Sequence, residues 1–325
     1  MFFELIKGWE KYSKALRQLS AKTGICYYWL VVDCVLSKLF FGCVINQYTL
    51  GAFYKRKWFE RKRMLTYGRW SSIITTYNNP AYTHVLKYKS DFNKYFSQFI
   101  GREWIHSSNM DIASFKQFVE KHHKLIIKPV DGWEGEGVYL VDMSGQDIES
   151  IFTDLKKKQV LIEECVIQHS QMRYGNNSVN TIRVYTVFDK RCEQAFVVKT
   201  VVRVGVGDSI VDNSHSGGCA YEVDPILGII VSPSYEANGD IHIIHPYTDI
   251  CMLGRKIPHW DRVIQLCRVA ASRLPQVAFI GWDVAIKEDG PILIEGNHDP
   301  DLDMVEFVGS YGYYNVIMSH LKNNS

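Results

Sequence analysis

Three oxygen-bearing side chains stand at close spacing near the C-terminal end of the chain: Asp283, Glu295 and Asn297, in D-V-A-I-K-E-D-G-P-I-L-I-E-G-N (283–297). Two apolar runs around a turn at Glu288–Gly290 predict a β-hairpin. Pairing 283–287 with 291–297 brings Asp283 near Glu295 and Asn297. Alternation puts Glu295 and Asn297 on the same face. Two carboxylates and an amide oxygen are hard donors suited to Mg²⁺ held jointly with phosphates. Without a cation the carboxylates would repel each other or shift in pKa. The plainer alternative is a hairpin with solvated acids, and an acid directly after the apolar run P-I-L-I weighs against it.

A second group lies in K-P-V-D-G-W-E-G-E-G-V (128–138), between two predicted strands. Gly132, Gly135 and Gly137 permit positive φ and close backbone approach. With Asp131 they form a turn that could lay N–H groups over phosphate oxygens, while Lys128 supplies a fixed positive charge. The loop is neither a Walker A loop nor a dinucleotide fingerprint, since no G-K-[ST] follows and a strand, not a helix, comes next. A simple glycine hairpin explains it equally well. The strand L-I-E-E-C-V (161–166) ends in Glu163, Glu164, Cys165 and Val166. Either its acids are solvated at a sheet edge, or its backbone meets an adenine edge while a carboxylate contacts a nucleotide hydroxyl. Arg183, Lys199 and Arg203 sit in strongly apolar strands, where a cation needs an anion, structural or ligand. Asn213, in V-D-N-S-H-S-G-G (211–218), marks a polar loop expected near them.

The elements that must position these groups follow from periodicity. Helix-type spacing of Trp9, Tyr12, Leu16 and Leu19 makes residues 1–65 helix-rich. Asp111 is a predicted cap for a helix carrying Phe115, Phe118 and Val119. Strands are expected at 125–130, 137–142 and 160–166, then from 180 onward in runs rich in β-branched residues. One helix, around 260–274, interrupts them. The class is α+β, with a helical region over 1–108, a small lobe over 109–170 and a larger lobe over 171–325. The 325 residues are 46% hydrophobic and carry a formal charge of +2, so no global field argues for nucleic acid. Eight cysteines include no C-x-x-C pair, which fits a reducing cytoplasm. Charged residues break up the N-terminal apolar run, so no secretory leader is expected. Residues 25–45 are apolar enough to consider a membrane span, but Asp33 and Lys38 near the centre favour a packed helix. The basic run at 54–63 reads as a solvated helix face, or as attraction to an anionic acceptor or membrane surface, leaving peripheral membrane contact open.

Taken in order, these motifs resemble the ATP-grasp superfamily, and more narrowly its sugar-transfer-associated branch, related to α-L-glutamate ligases. The resemblance rests on Lys89 in K-S-D-F-N-K-Y-F, then I-I-K-P-V-D-G-W-E-G-E-G-V, L-I-E-E-C-V-I-Q-H, S-V-N-T-I-R-V-Y-T, V-D-N-S-H-S-G-G, G-W-D-V-A-I and G-P-I-L-I-E-G-N. It implies two α+β lobes gripping ATP and Mg²⁺. Lys89 and Lys128 would hold phosphates, Asp131–Gly137 would close over them, and Glu163 to Val166 would form the adenine hinge. Asp283, Glu295 and Asn297 would hold the metal, and Arg183 would steady charge on the transferred group. The implied activity joins a carboxylate to an amine through an acyl phosphate, with a glycan precursor or amino acid as substrate. A kinase acting on a hydroxyl and a nucleotide-binding regulator without catalysis are the alternatives.

Overall fold

The computed structural model describes residues 2–130, 137–174, 178–205, 218–236 and 240–322, with side chains from residue 10 onward. The chain begins with four helices, α1 (Phe2–Thr23), α2 (Tyr27–Phe41), α3 (Ile45–Thr49) and α4 (Trp58–Arg61). They close around their own core, which includes Leu16, Leu30, Phe41, Tyr48 and Phe53. Asp33, the acid inside the apolar run, is reconciled with burial by Arg61. That guanidinium donates to both carboxylate oxygens at 2.7 and 2.9 Å, and the Tyr48 hydroxyl adds a third bond at 2.7 Å. The expectation of a packed helix over 25–45 holds for one face only. Leu30, Cys34, Ser37 and Phe41 are buried, whereas the opposite face of α2 is open.

Three short helices, α5 (Tyr67–Tyr77), α6 (His84–Lys87) and α7 (Lys89–Tyr95), carry the chain onto the main core. A small sheet follows, built from β1 (Trp104–His106), β2 (Lys124–Pro129), β3 (Tyr139–Asp142) and β4 (Val160–Glu164) in the order β1-β4-β2-β3, with antiparallel pairing throughout. Helices α8 (Ile112–Lys121) and α9 (Ile148–Lys156) contribute Phe115, Phe118 and Leu155 to a core shared with Leu125, Ile127 and Ile162 of the sheet. Asp111 caps α8 by accepting from the Ser114 amide at 2.7 Å, as its sequence position predicts. The small lobe starts earlier than residue 109, because β1 pairs with β4. Three residues are too few for alternation to reveal a strand.

The larger sheet has the order β7-β6-β5-β8-β9, from β5 (Thr181–Asp189), β6 (Gln194–Val204), β7 (Cys219–Glu222), β8 (Phe279–Lys287) and β9 (Gly290–Asn297). Helix α10 (Trp260–Arg273) covers it with Val263, Cys267 and Ala270, all fully buried. The chain ends in α11 (Leu302–Glu306) and α12 (Tyr314–Leu321). Long β-branched strands build the main core together with α10, the helices of 65–100 and residues of α11 and α12 such as Val305 and Ile317.

Candidate active site

A cleft runs between the two sheets. The small sheet contributes Lys128 and Glu163, α6 and α7 contribute Lys87, Lys89 and Asn93, and the end of β9 contributes Glu295 and Asn297. Each placement follows from local structure. Lys89 opens α7, Lys128 lies near the end of β2, and Glu295 and Asn297 alternate to one face of β9. The hairpin forms around the expected turn, but its register shifts between Val284 and Asp283, and this bulge is what sets Asp283 opposite Glu295 and Gly281 opposite Asn297. Beyond β9, Asn78 donates to the His298 carbonyl at 2.6 Å and exchanges bonds with Phe279, which fixes where the strand leaves the sheet.

On the small-lobe wall, Glu163 is the hub. It is 2% exposed and accepts from Arg102 Nε at 2.9 Å, Lys128 Nζ at 2.7 Å and Asn93 Nδ2 at 2.9 Å. Burial alone would raise its pKa, but Arg102 and Lys128 override that and hold the carboxyl well below the usual range. The expected contact between Glu163 and the nucleotide is therefore corrected. Its oxygens position Lys128 rather than meet a base or sugar. The rest of the segment expected as the hinge leaves the sheet at Glu164, where β4 ends. Glu164 accepts from the Glu103 amide at 2.9 Å, the Cys165 amide donates to the Lys124 carbonyl at 3.2 Å, and Val166 is half-buried beyond them. Gly137 has φ +71°, and a Cβ there would lie 2.8 Å from Pro129 Cγ, so the strand exit requires glycine. Asp131, Gly132 and Gly135 lie outside the described residues, as does Asn213.

On the large-lobe wall, Asp283 is 1% exposed and ion-paired to two guanidinium groups. Arg183 donates through Nε and, at 3.0 Å, through Nη2, and Arg203 lies at 2.9 Å. Although burial opposes it, this pairing lowers the Asp283 pKa to about 2. Glu295, hydrogen-bonded to Asp283, moves the other way, because burial and the neighbouring negative charge raise it. Asp283 thus stands behind the cleft wall rather than on it. Arg183 and Arg203 come together on Asp283, behind the wall rather than in the lining of the cleft.

Lys199 is not brought to the site. Its ammonium is 1% exposed and closed in by Glu222 at 2.7 Å, the Val308 and Ser310 carbonyls and the Tyr313 hydroxyl. Its expected catalytic role is corrected to a structural one, tying β6 and β7 to the C-terminal segment. The sequence reading missed Arg102 and Asn93. Asn93 lies inside the K-S-D-F-N-K-Y-F run already singled out. Arg102 follows Gly101 with no motif around it; the only clue was that a buried Glu163 needs more than one cation.

The donor set fits a divalent ion bridging to phosphate. Glu295 and Asn297 offer oxygens on one side, and Lys89 and Lys128 offer positive charge across the cleft. Asn297 Nδ2 is buried with no hydrogen-bond partner, so the protein does not lock the amide, which can turn either end to a ligand. No described helix is long and apolar enough to cross a membrane.

Residues 72–322 match the family model described as sugar-transfer associated ATP-grasp, so the chain belongs to that family. That membership makes the fold an ATP-grasp fold. The ATP-grasp ligase PsnB, complexed with minimal precursor, Mg and ADP, is 15% identical over 76% of this chain and 62% of its own, with a TM-score of 0.46. D-alanine–D-alanine ligase from Bacillus anthracis, complexed with ATP, is 14% identical over 69% of this chain and 58% of its own, with a TM-score of 0.41. The D-cycloserine synthetase DcsG is 14% identical over 74% of this chain and 71% of its own, with a TM-score of 0.43. The chain therefore spans under two thirds of the PsnB chain it matches. No curated protein sequence matches it.

Proposed function

We propose that this member of the sugar-transfer-associated ATP-grasp family is an ATP-dependent ligase joining a carboxylate to an amine through an acyl phosphate. The observation that carries the reading is the cleft itself, where Lys89 and Lys128 face Glu295 and Asn297 across a gap between two sheets. Cationic side chains opposite hard oxygen donors suit a polyphosphate with its metal, and little else of common cellular chemistry.

Lys89 and Lys128 hold phosphate oxygens, with Lys128 aimed by Glu163. The backbone of 164–166 receives the adenine edge. Mg²⁺, held by Glu295 and Asn297 with Asp283 behind them, would offset charge on the phosphates. Arg183 and Arg203 stand ready for the anion formed as the γ-phosphoryl group moves. The acceptor carboxylate attacks the γ-phosphorus and ADP leaves; the amine then attacks the acyl carbon and inorganic phosphate leaves. The small lobe closes over the nucleotide and excludes water that would hydrolyse the acyl phosphate. The substrates we favour are a uronic or amino acid and an amino sugar or amino acid of a surface glycan.

Hydroxylamine tests the reaction class. Protein, Mg-ATP and a panel of uronic and amino acids should yield a hydroxamate together with ADP. ADP with a phosphate ester and no hydroxamate would establish a kinase instead. Nucleotide binding without ADP release across the panel would favour a regulator.

A further inference from the structure

Charge is divided unevenly along this chain. Residues 1–63 hold 12 Lys and Arg against 4 Asp and Glu, while residues 64–325 hold 25 against 31. The helical unit thus carries a formal +8 on a protein whose remainder carries −6.

The same unit presents an apolar face. On α2, Tyr28, Trp29, Val32, Leu36, Leu39 and Phe40 recur at helical spacing opposite the buried side, with Tyr28 77% and Leu39 74% exposed. Trp58 and Phe59 of α4 extend the surface, and the Trp58 ring meets that of Phe40 at 5.5 Å. Soluble monomers rarely leave a contiguous apolar surface of that kind to water. Lys38, Lys55, Lys57 and Lys62 surround it and are exposed. Nearby acids do not offset them. Asp33 is committed to Arg61, and Glu60 accepts from the Lys57 amide and the Tyr311 hydroxyl.

We infer that the α2–α4 surface docks on an anionic lipid bilayer, with α2 lying in the plane of the headgroups. Aromatic and aliphatic side chains entering the interface, with lysines reaching phosphates around them, is the pattern of an interfacial helix. A span is unavailable to a 15-residue α2. A second copy is the weaker occupant, since a two-fold contact would set one strongly basic surface against its own image. The unit is also fastened to the catalytic core. The Tyr311 hydroxyl donates to Glu60 at 2.8 Å and the Arg56 guanidinium lies 3.8 Å over the Tyr311 ring, while next along the chain Trp70 Nε1 donates to the Pro300 carbonyl at 3.0 Å, just past Asn297. Docking would therefore hold the cleft at a set height and angle over the membrane. The inference does not depend on the reaction assigned to that cleft.

Co-sedimentation of the full chain with vesicles tests it. Wild type should bind phosphatidylcholine vesicles containing phosphatidylglycerol, about tenfold or more weaker on phosphatidylcholine alone, and should be released by salt. Replacing Leu39 and Phe40 together by Ser should weaken binding about tenfold or more. Lys55→Gln, Lys57→Gln and Lys62→Gln combined should cost about 100-fold. The lysine variant and the salt series keep the test valid if the Ser variant does not fold. Absence of vesicle binding, equal binding to neutral vesicles, or wild-type binding by the lysine variant would overturn the inference. So would a dimer in light scattering that the Ser variant abolishes while lipid binding is absent.

Discussion

Two buried carboxylates flank the cleft, Glu163 in its lining and Asp283 behind the opposite wall, and each is held by two cations, yet they are built for opposite ends. Glu163 is a lone acid between Arg102 and Lys128. Its cluster keeps a surplus positive charge at the wall, which suits an anion. Asp283 lies between Arg183 and Arg203 but has Glu295 beside it. With both acids ionised, that cluster is neutral and crowded with oxygen, which suits a cation. On the function we propose, the same ion-pair chemistry gives a phosphate wall in one sheet and a metal wall in the other, and the difference is a single extra carboxylate.

The largest expected effect breaks the metal wall. Glu295→Gln should lower ADP release by about a thousandfold or more while leaving the melting temperature nearly unchanged. Asp283→Asn should fail on both counts, because it leaves two buried guanidinium groups facing an amide. Thermal unfolding should show a loss of about 3–5 kcal/mol. A fold-neutral Asp283→Asn would mean that the arginines are not held as described. Glu163→Gln should cost a similar amount for the same reason, and calorimetry should show weaker ATP binding as Lys128 loses its aim.

A smaller effect separates the walls by pH. In metal-free protein, the lowered pKa of Glu163 contributes stability above the ordinary glutamate value near 4.5, lost as acid protonates it. Glu295 has a raised pKa, so it carries a penalty that grows as pH climbs past 4.5 and levels off above its own pKa. Chemical denaturation across pH should show Glu295→Gln gaining on wild type as pH rises and Glu163→Gln gaining as pH falls. Parallel curves for both would refute the contrast. The smallest effect sharpens the phosphate wall. Lys128→Ala should weaken ATP binding about tenfold, with little loss of stability because Arg102 still satisfies Glu163.

The sequence disclosed whatever was local. The β8–β9 hairpin was legible because its turn is short, which brought Asp283 and Glu295 near each other, but the bulge that sets them directly opposite was not. Strand β6 and helix α10 were legible from composition and period. What bound Asp283 was not, since Arg183 and Arg203 reach it through strand pairings across about a hundred residues of chain. Lys199 misled for a related reason. A cation in an apolar strand needs an anion, and nothing near it in sequence showed that Glu222 and the C-terminal segment supply the partners. The open side of α2 was hidden too, because a helix apolar all round reads as buried until its neighbours are known.

Arg102 does more than neutralise an acid. Besides gripping Glu163 of the small sheet, its guanidinium donates to the Leu293 carbonyl at 2.5 Å and the Ile294 carbonyl at 3.0 Å, in the large sheet just before Glu295. Pulling it from Glu163 would strand a buried charge, and pulling it from the carbonyls would leave two buried acceptors unpaired, so this one side chain resists parting of the two sheets beside Lys128 and Glu295.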